Sequence, residues 1–253
     1  MTGVGNMTSH REESRSRFCE SHGIRAVIFD CDGVLLDSGE PYYTAYEKVL
    51  AEEGVATSPR EIYRLEGMPT LRVLETVLAG RGKLVPSVRV REMMDLRRQY
   101  QAAAGVSKFF PGTWSMLARL RTSGYRVAMV TGSSRKSIDL SFTPDLKSHF
   151  DAIITADDVQ CPKPHPQPFA LASERIEVPT ANCLVIENAP YGVQSARAAG
   201  CRVIAICTTL TEEDFGDAHW IVPDHSALKS LLWNRSVAPS TTEYDSGKIN
   251  GHD

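Results

Sequence analysis

The sequence predicts an α/β protein built on a doubly wound parallel sheet, with a helical domain inserted into it. Two observations point there. Short, continuous apolar runs recur along the 253-residue chain, and helical segments separate several of them. Alternation of that kind builds a sheet with helices on both faces. One long stretch, residues 39–105, breaks the alternation and contains no strand-like run.

The runs are Ala26-Val27-Ile28-Phe29, Val127-Ala128-Met129-Val130, Ala152-Ile153-Ile154, Cys183-Leu184-Val185-Ile186 and Arg202-Val203-Ile204-Ala205-Ile206. Continuous rather than alternating apolarity marks strands covered on both sides, as in a parallel sheet. Trp220-Ile221-Val222 adds a candidate edge strand. Between the runs, Thr113–Ser123 carries Trp114, Leu117 and Ala118 at helical spacing, with Gly124 as a stop signal. Pro190–Ala199 is Ala-rich and is followed by Gly200, so its small side chains permit close packing on the sheet.

In residues 39–105 the apolar residues fall in helical patches: Tyr43, Tyr46 and Leu50; Leu71, Leu74, Val77 and Leu78; Met93, Met94 and Tyr100. The stretch is too long for one helix and two loops, and it reads as a small helical domain inserted after the first strand. Residues 1–22 and 235–253 are polar and aperiodic and read as disordered tails. The remainder, 23–38 with 106–234, forms the α/β core.

A net charge of −3 leaves no basic footprint for nucleic acid. No apolar run approaches the roughly 20 residues needed to span a bilayer. The N-terminal region lacks a secretory h-region, and Glu12, Glu13 and Glu20 argue against a transit peptide. The six cysteines show no C-x-x-C spacing, which fits reduced structural thiols in the cytoplasm.

Polar residues with chemical potential follow the strands. After the first comes Phe29-Asp30-Cys31-Asp32-Gly33-Val34-Leu35-Leu36-Asp37-Ser38. Two carboxylates behind an apolar strand are costly unless neutralised, and a metal there would favour both. In open α/β sheets ligands bind beyond the C-terminal strand ends. Cys31 reads as a spacer facing away. After the second strand, Thr131, Gly132, Ser133 and Ser134 present hydroxyl and N–H groups to an anion. After the third, Lys163 lies among Pro162, Pro164, Pro166 and Pro168, which hold it on a stiff segment suited to clamping a phosphoryl group. After the fourth come Glu187 and Asn188, a carboxylate and an oxygen-bearing amide.

Four such signals, in this order, are similar to the haloacid dehalogenase superfamily. From about Ile24 to Val222 the chain resembles its phosphatase and phosphoglucomutase branch, in which a helical cap follows the first strand; the first motif carries most of the likeness. The resemblance implies that Asp30 is a nucleophile and Asp32 a general acid/base. Thr131 and Lys163 would bind the phosphoryl group, with Gly132 and Ser133 beside them. Mg2+ would be held by Asp30, Asp32 and the Glu187-Asn188 motif. The cap loop residues Gly67 and Thr70 would contact the substrate, and the first strand would stand in mid-sheet. One departure is the fourth motif, usually Glu-Asp and here Glu187-Asn188, which removes a negative charge from the expected metal site.

The function so implied is Mg2+-dependent hydrolysis of a small phosphorylated metabolite through an aspartyl-phosphate. Asp32 argues against a dehalogenase, which lacks that second aspartate. The main rival is a β-phosphoglucomutase-like mutase, whose cap loop carries a cation for the substrate's second phosphate. Here Glu66-Gly67-Met68-Pro69-Thr70 has Thr70 at that place, with Arg64 and Arg72 flanking it. A non-catalytic phosphometabolite-binding protein is a second alternative, motivated by Asn188 alone. The resemblance implies no oligomeric state.

Overall fold

The computed structural model describes residues 16–105, 107–233 and 240–241. Its main sheet contains β1 (Ala26–Asp30), β4 (Arg126–Val130), β5 (Ala152–Ile154), β6 (Cys183–Glu187), β7 (Arg202–Ile206), β8 (Trp220–Val222) and β9 (Ser240–Thr241), in the order β5-β4-β1-β6-β7-β8-β9. The first six run parallel, with β1 between β4 and β6, and β9 pairs antiparallel with β8. Trp220–Val222 is therefore flanked on both sides.

Side chains of β1 alternate between two cores. Val27 and Phe29 join Val127, Met129, Leu184 and Ile186 on one face, while Ala26 and Ile28 join Ala128, Val130, Val185 and Val203 on the other. The first face is covered by α1 (Arg17–Ser21), α6 (Thr113–Thr122), α7 (Arg135–Ser141) and α11 (His225–Trp233). The second is covered by α9 (Gln167–Arg175) and α10 (Pro190–Ala198). Covering both faces is what makes each strand continuously apolar. α8 (Pro144–Lys147) is a single turn between α7 and β5.

Helix α1 corrects the tail expected over residues 1–22. The Ser16 side chain accepts from the Cys19 amide and donates to the Leu232 carbonyl, and Phe18 packs edge-on to Trp220 at 4.8 Å. Two adjacent apolar residues, Phe18 and Cys19, anchor the turn, too few to show a period. Residues 1–15, 234–239 and 242–253, which include most of the two tails, lie outside the described residues.

Between β2 (Leu36–Asp37) and β3 (Lys108–Phe109), an antiparallel ribbon, stand α2 (Gly39–Ala51), α3 (Pro59–Tyr63), α4 (Thr70–Gly80) and α5 (Ser87–Ala103). They enclose their own core of Tyr46, Val49, Leu50, Ile62, Val73, Leu74, Val77, Leu78 and Met93. Ion pairs tie this insert to the sheet domain: Asp214 accepts from Arg64 Nε at 2.6 Å and from Arg60 Nη2 at 3.2 Å. Among the described residues no helix is long and apolar enough to cross a membrane.

Candidate active site

The site lies beyond the C-terminal ends of β1, β4 and β6. Asp30 closes β1 and is 7% exposed. The chain then folds back on itself: the Leu35 and Leu36 amides donate to the Cys31 carbonyl, and the Gly33 amide donates to the Leu36 carbonyl at 2.8 Å. Gly33 takes φ of +77°, and a Cβ there would meet Asn188 Nδ2 at 2.1 Å, so both the turn and the close approach require glycine. Thr208 Oγ1 pins the loop by donating to the Gly33 carbonyl at 2.6 Å. The Cys31 side chain points into the core on the first face, away from the site. Burial, then the nearby Asp32 and Asp30, push its thiol well up, which makes it a poor thiolate source.

Lys163 is 5% exposed and donates from Nζ to Asp30 Oδ1 at 2.5 Å and to Glu187 Oε1 at 2.7 Å. Its ammonium also lies 5.1 Å from the Phe169 ring centroid. Burial alone would lower the lysine pKa, but Asp30 and Glu187 outweigh it and the result is a raised one. The other Glu187 oxygen accepts from the backbone amides of Asn188 at 2.7 Å and Ala189 at 2.8 Å. A Cβ at Gly192 would lie 1.6 Å from Glu187 Oε1, so the start of α10 can pass only as glycine. Both carboxylate oxygens of Glu187 are thus occupied within the protein.

Thr131 is buried at the end of β4, and its Oγ1 accepts from the Ser133 amide at 3.0 Å. The Ser133 hydroxyl donates to Asp32 Oδ2 at 3.3 Å, which links the second strand's loop to the first. Gly132 is exposed beside them. Of the two cap-loop residues, Gly67 abuts the site, its would-be Cβ lying 3.7 Å from Lys163 Cβ and 3.4 Å from Tyr191 Cβ. Thr70 begins α4 instead, with its hydroxyl 3.5 Å from Arg97 Nη1.

Two features bear on a metal. Four carboxylates, Asp30, Asp32, Glu66 and Glu187, act on one another around the single ammonium of Lys163. Burial first, then Glu187 and Asp32, push the Asp30 carboxyl up to about 8 against the pull of Lys163. Added positive charge would relieve that surplus. Asn188, fully buried, donates from Nδ2 to Glu66 at 3.2 Å and to Thr209 at 3.3 Å, and its Oδ1 has no hydrogen-bond partner among the described residues. A buried, unpartnered oxygen is uncommon and calls for an occupant. Among the described residues no group of three His, Cys, Asp or Glu side chains is placed to hold a metal. The donors on offer are therefore mixed, carboxylate oxygens and the Asn188 amide oxygen, which are types suited to a hard cation.

Sequence reasoning missed Glu66, Thr209 and Thr208. Glu66 stands next to Gly67 in the loop already singled out, but nothing in its local pattern marks it as buried.

The sequence profile of the family described as haloacid dehalogenase-like hydrolase matches residues 27–206. A phosphoglycolate phosphatase from Nitrosospira multiformis is 31% identical over 188 residues, covering 72% of this chain and 83% of the relative. The fructose-1-phosphate phosphatase YqaB of Escherichia coli is 28% identical over 182 residues, covering 71% and 95%. Among solved structures, a Bacteroides vulgatus protein provisionally assigned as a β-phosphoglucomutase superposes with a TM-score of 0.70 at 26% identity, covering 88% of this chain and 98% of the other. With the profile covering more than half of the chain, and a relative above 30% identity matched over most of its length, this chain belongs to the haloacid dehalogenase-like hydrolase family and is an enzyme that hydrolyses phosphate esters.

Proposed function

We propose that the enzyme is a Mg2+-dependent phosphatase of small phosphomonoesters, sugar phosphates or similar metabolites, with Asp30 as its nucleophile. The observation that carries the reading is the Asp30–Lys163–Glu187 bridge, a buried carboxylate held at 2.5 Å by an ammonium that is itself anchored behind. The two curated relatives, acting on phosphoglycolate and fructose 1-phosphate by name, support the substrate class.

An Asp30 carboxylate oxygen attacks phosphorus, forming an aspartyl-phosphate as the bond from phosphorus to the ester oxygen breaks. Asp32 donates a proton to the departing oxygen, then removes one from the water that attacks the acyl phosphate. The phosphorus–Asp30 bond breaks, releasing inorganic phosphate and the free carboxylate. Lys163 has three N–H donors, and Asp30 and Glu187 take two, which leaves one for a phosphoryl oxygen. Thr131 Oγ1 accepts from Ser133, which leaves its hydroxyl proton to donate to the same group. Mg2+, when bound by the Asp30 carboxylate, the Asp32 carbonyl and Asn188 Oδ1, supplies positive charge for the phosphoryl oxygens. Glu187 is assigned to anchoring Lys163 rather than to the metal. Residues 39–105 are the cap, which closes over the site to exclude water.

A second reading, the mutase, has one observation in its favour. Of the two flanking arginines, Arg64 is engaged by Asp214 and Arg72 by Glu75 at 3.1 Å. Arg97, however, lies 4.7 Å from the Tyr46 centroid and beside Thr70, with no carboxylate pairing it among the described residues and its Nε unpartnered. That guanidinium is a cation for an anionic substrate group, whether carboxylate or second phosphate.

The test is phosphate release from a panel of phosphorylated sugars and acids, with Mg2+ and in chelator, for wild type and Asp30→Asn. Turnover is expected to require Mg2+ and to fall at least about a thousandfold in the variant, with its circular dichroism retained. Full activity in chelator would sink the metal; undiminished release from Asp30→Asn would sink the nucleophile.

A further inference from the structure

Asn188 presents a problem that an aspartate at the same place would not have. A carboxylate offers oxygen at both ends, whereas an amide offers oxygen at only one, so it must be turned the right way. The structure shows what turns it. Both N–H groups of Nδ2 are taken, one by Glu66 Oε2 at 3.2 Å and one by Thr209 Oγ1 at 3.3 Å. Thr209 alone would be a poor guide, because a hydroxyl donates as readily as it accepts. Glu66 presents one carboxyl oxygen, Oε2, to Nδ2 and is 8% exposed, on the loop between α3 and α4. Gly33, packed against Nδ2, admits the amide without adding any polar group of its own. The unpartnered Oδ1 is the consequence.

We infer that Glu66 is a positioning residue: it holds the Asn188 amide with Oδ1 toward the cation site, and so makes an asparagine serviceable there. Glu66 belongs to the insert and Asn188 to the sheet domain, so the orientation is set only while the Glu66 loop is docked. The cation site would thus be completed by docking of the cap loop. This rests on the reading of Asn188 as a cation ligand.

The test is a cycle at positions 66 and 188, read by calorimetric titration of the metal-free proteins with Mg2+ and by the KM and kcat of each. In the wild-type background Glu66→Ala is expected to weaken Mg2+ binding about tenfold, because the amide loses its guide. In an Asn188→Asp background the same change is expected to cost less than about twofold, because a carboxylate needs no guide. Glu66→Gln, which keeps an acceptor, is expected to recover most of the loss. A purely structural role for Glu66 would cost the same in both backgrounds, and that result overturns the inference. Wild-type protein that takes up no Mg2+ overturns the inference together with the metal reading; Mg2+ binding indifferent to position 66 overturns the inference alone. If Glu66→Ala does not fold, Glu66→Leu is measured in its place, under the same two expectations.

Discussion

Charge at the site is only partly offset by the residues around it. A buried carboxylate left alone raises its pKa until it is neutral, and a neutral Asp30 is no nucleophile. Lys163 offsets this in part, and its own raised pKa keeps it charged while it does so. Outside the site, His219 shows the opposite device. Its Nδ1 accepts from the Val203 amide at 3.0 Å, and its ring lies against the Arg197 guanidinium. Burial, then Arg197 and Arg202, lower its pKa from 6.5 to about 4, so the folded protein prefers the neutral ring. A folded value below the unfolded one gives stability that is complete above about pH 6.5 and is lost as the pH falls toward 4. Allowing for its partial exposure, the loss is expected to be about 1–2 kcal/mol. Denaturant unfolding between pH 7.5 and 4 checks this. His219→Asn should flatten that part of the profile, and an equally steep decline in the variant would refute the assignment. Asp30 and Thr131 could be found in the sequence because each directly follows an apolar run, and Lys163 because prolines flank it. His219, Glu66 and Thr209 could not, since each acquires its role from a partner that only the fold brings near.

At the scale of elements, runs buried on both faces were the easiest to read. The Arg202–Ile206 run is β7, and β1, β4 and β6 each extend their runs by one residue. Helical stripes were harder. The buried face of α6 is Thr113, Met116, Leu117 and Leu120, one position off the Trp114-Leu117-Ala118 stripe, because Thr113 is buried and Trp114 only partly so. Likewise Leu71 is 38% exposed while Leu74, Val77 and Leu78 are buried. The β2–β3 ribbon has two residues per strand, too few for any periodicity. What joins the insert to the sheet domain was also hidden: the Asp214 side chain, 1% exposed, gathers Arg60 and Arg64. Despite burial, hydrogen bonds from Arg64 and Arg60 hold its carboxyl below the usual range. If this clamp favours the closed cap, Asp214→Asn should raise KM about fivefold, near 1 kcal/mol, with kcat altered less than twofold. Salt should act likewise on wild type and little on the variant, since partly exposed pairs are screened. Kinetics in 50 and 500 mM salt decide it; an unchanged KM at both would show that the clamp does not govern closure.

For the molecule as a whole, the open question is the fate of the aspartyl-phosphate, and it turns on how sheet domain and cap share the work. A phosphatase and a mutase form the same intermediate on Asp30. A mutase must keep water from it and pass the phosphoryl group to a phosphorylated sugar, which demands a second phosphate site in the cap. Arginine suits that task through its planar fork of donors. Thr70 has no charge, and Arg64 and Arg72 are already paired with Asp214 and Glu75. Arg97 is the remaining cation beside Thr70, with its guanidinium over Tyr42 and Tyr46. One arginine is enough to hold the carboxylate or hydroxyl-rich end of a monoester; a second phosphate, carrying close to two charges, calls for more. The phosphatase reading therefore predicts that water is the acceptor and that no bisphosphate primer is needed. The measurement incubates the enzyme with β-glucose 1-phosphate, Mg2+ and a trace of glucose 1,6-bisphosphate, and follows glucose 6-phosphate and inorganic phosphate together. Phosphate release unaffected by the bisphosphate, with little glucose 6-phosphate, is the expected result on this or another accepted monoester. Rapid glucose 6-phosphate formation with negligible free phosphate would reverse the assignment. In that event Arg97→Ala should abolish the transfer, because among the described residues it is the cation beside Thr70 that no carboxylate engages.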